Sequence, residues 1–314
     1  MQLARRNFLR LSAGICLASA FPVPNLSAYA EDSDELKIIP IEIPCGTQKP
    51  FKAVHVSDTH LCLVDERENE RKRKLAENRQ RYFTKGEKFF DLAMAYAQKK
   101  DALFLHTGDM IDFVSEKNLE AIQAKFQDTY SFASTGNHEF SQYVGEAKED
   151  AAYKALSFDR VQKVYPHNIT FCSRIINGVN FIAFDDVYYN VTAEQLACFK
   201  AEVEKGLPII AMCHCPLYTP DLFENAMNHE GLRCAYLVGV PEEQMADYTP
   251  GDREQQKPDI PTLDFLAWLR KQPLLKAILC GHMHYNWSGP FSETATQYVV
   301  GGNFLGDTYE INFT

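Results

Sequence analysis

Short apolar runs rich in Val, Ile and Phe alternate with longer stretches whose apolar side chains recur every three or four residues. The short runs predict strands over Leu36–Ile43, Phe51–Ser57, Ala102–His106, Ser131–Thr135, Ile169–Ser173, Val179–Asp185, Leu207–Met212, Leu275–Cys280, Thr296–Val300 and Tyr309–Phe313. Phe89, Leu92, Ala93 and Tyr96 fall on one side of a helix predicted over Lys88–Gln98. Similar spacing predicts helices over Lys117–Phe126, Thr192–Lys205 and Thr262–Lys271, the last with Leu263, Leu266 and Leu269 on one side. Strands alternating with helices imply an α/β layered fold, and the last two strands read as a pair that makes the sheet mixed.

Two stretches break this rhythm. Val64–Lys85 interleaves Arg67, Arg71, Lys72, Arg73, Lys74, Arg79 and Arg81 with Glu66, Glu68, Glu70 and Glu77. The balanced signs favour a solvated helix with ion pairs one turn apart over a basic lip for an anionic substrate. Leu217–Pro261 is a long proline-rich connection between two strands, a form usual for a functional cap or insert.

The first thirty residues have a different character. Arg5, Arg6 and Arg10 precede a moderately apolar stretch from Leu11 to Phe21, then Ala28-Tyr29-Ala30 and the first acidic residue, Glu31. This is the order of an export signal. Arg5-Arg6-Asn7-Phe8-Leu9-Arg10 resembles the bacterial twin-arginine signal, with Ala4 and Arg10 departing from the usual residues. The expectation is a signal over residues 1–30, the twin-arginine export machinery as a partner, a periplasmic location and one domain over 31–314. An uncleaved N-terminal anchor is the alternative.

The 314 residues carry 32 basic and 42 acidic side chains. Removing residues 1–30 leaves 29 basic against the same 42 acidic, a balance of −13. That argues against nucleic acid held by phosphate neutralisation. No run of about twenty apolar residues follows the N-terminus, so no membrane-spanning segment is expected in the mature chain. Eight cysteines remain there, an even number that permits disulfides without fixing them. Several lie inside apolar runs and read as buried thiols.

The chemistry sits where strands end. Asp58-Thr59-His60 follows the second apolar run, and Gly108-Asp109 follows the third. Gly136-Asn137-His138-Glu139, His214 and Gly281-His282-Met283-His284 follow three more. Ligands of α/β sheets gather beyond the carboxyl ends of the strands, so these polar groups are expected to converge on a metal site. The glycines before Asp109, Asn137 and His282 are expected to let the chain turn sharply. Alone, Asp58 or Asp109 would be a cap or turn former, Asn137 a turn residue and His282 or His284 a surface histidine.

Taken in order, D-x-H, G-D, G-N-H-E, H-x-P and G-H-x-H resemble the calcineurin-like metallophosphoesterases from Asp58 to His284. The resemblance implies a four-layer α/β/β/α sandwich of mixed sheets with two metal ions at one end. By position, Asp58, His60 and His284 would bind one ion, Asn137, His214 and His282 the other, and Asp109 both. His138 matches the histidine that faces the leaving group. The implied reaction is hydrolysis of a phosphomonoester or phosphodiester of a small molecule by a hydroxide bridging two metals, with His138 as acid. Imidazole, carboxylate and amide ligands suit Mn, Fe or Zn. Glu139 is expected to orient a histidine.

Met110-Ile111-Asp112-Phe113 after Asp109 departs from the protein serine/threonine phosphatases. Asp112 stands where purple acid phosphatases place a tyrosine ligand. His55, His106, His167 and His229 match no position in the family, and Cys213 and Cys215 would point away from His214 on a strand. A non-catalytic binding or scaffold protein on the same fold is the alternative function.

Overall fold

The computed structural model describes residues 34–314 apart from 48, 127–130, 146–147 and 230–231. The export signal expected over residues 1–30 lies outside the described residues. In chain order the strands are β1 (Lys37–Ile43), β2 (Phe51–Val56), β3 (Leu103–Thr107), β4 (Ser131–Ser134), β5 (Phe171–Ile176), β6 (Val179–Phe184), β7 (Ile209–Met212), β8 (Leu275–Cys280), β9 (Trp287–Pro290), β10 (Thr296–Val299) and β11 (Asp307–Phe313). The helices are α1 (Glu70–Gln80), α2 (Gly86–Lys99), α3 (Glu116–Lys125), α4 (Ala151–Ala155), α5 (Phe158–Val164), α6 (Ala193–Val203), α7 (Pro220–Asn228), α8 (Pro250–Gln256) and α9 (Ile260–Leu269). Among the described residues, no helix is long and apolar enough to cross a membrane.

The strands form two mixed sheets, ordered β1-β11-β2-β3-β4 and β5-β6-β7-β8-β10-β9. Side-chain alternation along each strand feeds two different cores. Ala53, Leu105 and Phe132 of the first sheet meet Phe181, Ile210 and Leu279 of the second in a core between the sheets. The opposite faces are also covered. Val54 and Phe104 join a core with Phe90 and Ala93 of α2, and Phe184 packs against Phe199 of α6 and Phe265 of α9. The result is the layer order helix, sheet, sheet, helix. Strands buried on both faces read as continuous apolar runs, and each fully buried Phe or Ile contributes about 1.5–3 kcal/mol.

Three sequence expectations need correction. The last two strands do not pair: β10 lies beside β8 and β9, whereas β11 lies between β1 and β2. Between them Val300 N–H donates to Cys280 O and Asn303 N–H to Ser57 O, so these few residues cross from one sheet to the other. Strand β5 starts two residues late and runs on to Ile176, because Asn177-Gly178 forms a two-residue hairpin turn. Both turn residues have positive φ, 49° and 81°, the geometry that such a tight connection requires. Strand β9 was not expected; its Trp-Ser-Gly-Pro sequence has no strand periodicity and it forms by pairing along β10.

The two irregular stretches are folded against the body. Val64–Lys85 contains α1, where Glu70 and Lys74 pair one turn apart as expected. Leu217–Pro261 contains α7 and α8. Its first residue is tied to the second sheet by paired hydrogen bonds with the Gln297 side chain, 2.9 and 3.0 Å. Among the described residues all eight cysteines are free thiols. Cys213 and Cys215 are packed in the outer core.

Candidate metal centre

The carboxyl ends of β2, β3 and β4 in one sheet face those of β7 and β8 in the other. The chain turns within two residues of each end. Asp58, His60, Asp109, His282 and His284 all have left-handed backbone, with φ between 51° and 69°. Each such residue costs on the order of 1–3 kcal/mol and persists because its surroundings dictate it. Gly108 also has positive φ, 90°. Gly136 and Gly281 do not, which corrects the expectation for them. A Cβ on Gly136 would overlap Asp109 Oδ1, and one on Gly281 would overlap Ser57 and Asp58. These two are glycine because two strand-end loops meet there.

The convergence is close. One ligand atom each from Asp58, His60 and His284 lie within 4.8 Å of one another, as do those of Asp109, His214 and His282, and of His60, Asp109 and His138. His60 Nε2 is 3.1 Å from His284 Nε2, and His282 Nδ1 is 3.0 Å from His214 Nε2. Asp109 Oδ2 stands between the groups, 3.2 Å from His214 Nε2 and 3.8 Å from His60 Nε2. Asn137 immediately precedes His138, and its Oδ1 is buried with no hydrogen-bond partner among the described residues. A buried amide oxygen without a donor is unfavourable unless something electropositive occupies the space it faces.

Neighbouring groups fix the rings. His214 Nδ1 donates to Thr107 O at 2.7 Å, which turns Nε2 toward Asp109 and the centre. His138 Nδ1 donates to Asp112 O at 2.8 Å and lies 3.2 Å from Asp112 Oδ1. His60 Nδ1 is 3.0 Å from the same carboxylate oxygen. The Tyr189 hydroxyl is 2.9 Å from His282 Nε2, so His282 presents Nδ1 to the centre. Phe83 stacks on His60 at 4.3 Å.

Burial and charge divide the histidines. Burial pushes His60 down to about 4. It also pushes His282 well below the usual imidazole range, helped by His214. At His138 burial works in the same direction, but the charge of Asp109 and the hydrogen bond and charge of Asp112 outweigh it and raise the ring to about 9. His214 likewise rises against burial to about 10, through the charge and hydrogen bond of Asp109. Burial raises Glu139 to about 7, with the charge of Asp109 adding to it.

Sequence reasoning named the converging residues and missed those that hold them. Asp112 was read only as a departure from a subgroup. Glu139 does not orient a histidine: its carboxylate accepts the main-chain N–H groups of Gly136, Asp109 and Met110 at 2.6, 2.8 and 2.7 Å, tying two loops together. Arg79 is not part of a solvated face, because it donates to both oxygens of buried Asp112 at 2.6 and 2.9 Å. Tyr189 had no signal beyond its place after a strand. His55, His106, His167 and His229 stay outside the cluster. His55 and His106 are buried against Thr107 and Thr59, His167 meets Ala133 O, and His229 stacks on Tyr285.

The profile of one family, the calcineurin-like phosphoesterases, matches residues 51–286, from the start of β2 to just beyond His284. The chain belongs to that family. Among solved structures this calcineurin-like phosphoesterase is similar to a dimetal phosphatase from Danio rerio, with 12% identity, 82% of this chain and 89% of that one covered, and a TM-score of 0.49. It is also similar to the phosphopantetheinyl hydrolase of Mycobacterium tuberculosis, at 11% identity, with 85% and 91% covered and a TM-score of 0.43. A third similarity is to a 5'-nucleotidase from Candida albicans, at 15% identity, covering 83% of this chain but 48% of that one, with a TM-score of 0.39. No curated protein matches the chain.

Proposed function

We propose that this calcineurin-like phosphoesterase is a dinuclear metal hydrolase acting on phosphomonoesters or phosphodiesters of a small molecule. The observation that carries the reading is the convergence of Asp58, His60, Asp109, His214, His282 and His284, together with the buried, partnerless Oδ1 of Asn137 next to His138. The donor set fits a pair of Mn, Fe or Zn ions. Asp58, His60 and His284 would hold one and Asn137, His214 and His282 the other, with Asp109 shared. When bound, such a pair supplies a water nucleophile at neutral pH and offsets charge on phosphoryl oxygens.

The rest of the chemistry falls to the chain. Asp109 is the shared anion, and its Oδ1 is kept in place by the His138 N–H at 2.8 Å. His138 has Nδ1 committed to Asp112, so its free Nε2 can deliver a proton to the departing ester oxygen. The buried amide of Asn137 adds a ligand without adding charge. The reading includes export through residues 1–30, to be checked by N-terminal sequencing of the protein from the periplasmic fraction.

The test is hydrolysis of 4-nitrophenyl phosphate and bis(4-nitrophenyl) phosphate by the purified chain with Mn²⁺, with and without chelator. Turnover of at least one ester that chelation abolishes supports the reading. Metal-free protein with no turnover of either ester, whatever ion is added, favours a binding or scaffold role.

A further inference from the structure

We propose that Arg79 is a positioning residue that acts through Asp112 on both His60 and His138. The inference rests on the reading of His138 as the acid and His60 as a ligand, and it extends that reading to a helix outside the strand-end motifs.

Asp112 has no solvent contact, and its main-chain N–H is anchored to Leu61 O at 2.9 Å. Only rotation of its carboxylate remains to be fixed. Oδ1 lies 3.0 Å from His60 Nδ1, 2.9 Å from Arg79 Nη2 and 3.2 Å from His138 Nδ1, and Oδ2 takes Arg79 Nε at 2.6 Å. The guanidinium fork therefore sets the plane of the carboxylate, which one oxygen shared between two imidazoles would not do. Arg79 lies in the last turn of α1 over the Phe83 ring, at 5.1 Å, and Phe83 stacks on His60. Arg79 in α1 and Phe83 just beyond it thus hold His60 from two sides, at Nδ1 through Asp112 and at the ring face directly.

Removing the fork has two consequences. A buried carboxylate loses its countercharge; His60 loses the oriented acceptor that fixes its tautomer, and His138, whose Nδ1 keeps Asp112 O, loses the ordered charge 3.2 Å away. Changes to groups that orient metal-binding histidines typically cost 10–100-fold in affinity or activity. The ring that ligates and the ring that donates would be affected together.

The experiment compares the wild-type chain with Arg79→Ala and Arg79→Lys, read three ways. Imidazole ¹⁵N NMR of the metal-free protein should show a slowly exchanging Nδ1–H on His60 that Arg79→Ala loses and free guanidinium restores, while the Nδ1–H of His138, held by Asp112 O, is kept. Titration with Mn²⁺ should show one of two binding steps weakened about 10–100-fold and the other unchanged. At saturating Mn²⁺, kcat should fall about 10–100-fold for an alkyl phosphate and less for 4-nitrophenyl phosphate, with guanidinium rescue. Arg79→Lys keeps the charge without the fork and should be impaired in the same direction, which preserves the test if Arg79→Ala does not fold. Unchanged Nδ1–H exchange at His60, with the leaving-group ratio and both binding steps as in wild type, overturns the proposal. A wild-type protein inactive on every ester overturns the hydrolase reading instead, and the NMR comparison then still decides the role of Arg79.

Discussion

The main-chain N–H of His138 donates to Asp109 Oδ1 at 2.8 Å, so the histidine read as the acid and the carboxylate read as shared are hydrogen-bonded to one another. The same two loops are tied by Glu139, which binds Asp109 N–H and Gly136 N–H through one oxygen. Chemistry and architecture therefore meet in three consecutive residues, Asn137-His138-Glu139, and His138, Asp109 and Glu139 can each be tested separately.

Replacing His138 by Ala should leave metal content unchanged and slow turnover of esters with poor leaving groups about 10²–10⁴-fold. Esters of nitrophenol, whose leaving group needs no proton, should lose far less. Steady-state kinetics across a series of leaving groups, beside metal analysis, checks this; equal loss throughout the series would remove His138 from the acid role.

Replacing Asp109 by Asn keeps the shape and removes the charge that both groups of ligands share. The expected outcome is loss of at least one bound cation and of turnover, measured by elemental analysis after gel filtration.

Glu139→Ala leaves the buried N–H groups of Gly136, Asp109 and Met110 without their acceptor. At roughly 1–3 kcal/mol per buried unpaired donor, Tm should fall by on the order of 10 °C. Glu139→Gln keeps one acceptor oxygen and should fall between the two in a thermal melt.

How much of this was written in the residues can be judged from Asp58 and Asp112. Asp58 follows an apolar run and stands two residues from a histidine, so both its position in the fold and its chemistry were legible. Asp112 carries no such pattern, because its role depends on Arg79 arriving from a helix 33 positions earlier. The same holds for Tyr189 beside His282, 93 positions apart. Local periodicity gave ten of the eleven strands and four of the nine helices among the described residues, but not the crossing after β10, since which of two sheets a strand joins is settled by long-range packing. Arg79 was misread because a helix with alternating charges looks the same whether or not one side chain turns inward.

The metal-free protein should lose stability at alkaline pH. His214 and His138 are raised above the ordinary imidazole value, to about 10 and about 9, against the opposing effect of burial. Their contribution is therefore fully present below about pH 6.5 and is lost as pH rises through 9 to 10. Melts of the chelated protein at pH 6.5, 8 and 10 should show Tm falling by ~5 °C or more, with a shallower fall in Asp109→Asn. A flat profile would contradict the charge assignment.

The thiols should divide by exposure. Among the described residues Cys198 is exposed and Cys172 half-buried, whereas the other six are buried. Burial also drives Cys213, Cys215 and Cys280 far above the usual thiol range. Ellman's reagent should modify Cys198 rapidly, Cys172 slowly and the six buried thiols only in denaturant.

The most direct measurement is anomalous X-ray diffraction from crystals of the Mn²⁺-loaded protein. Two peaks are expected on either side of Asp109, one within bonding distance of Asp58, His60 and His284 and the other of Asn137, His214 and His282. A map with no peak among these residues, or with a cation bound elsewhere and Asn137 Oδ1 still unpartnered, would contradict the account.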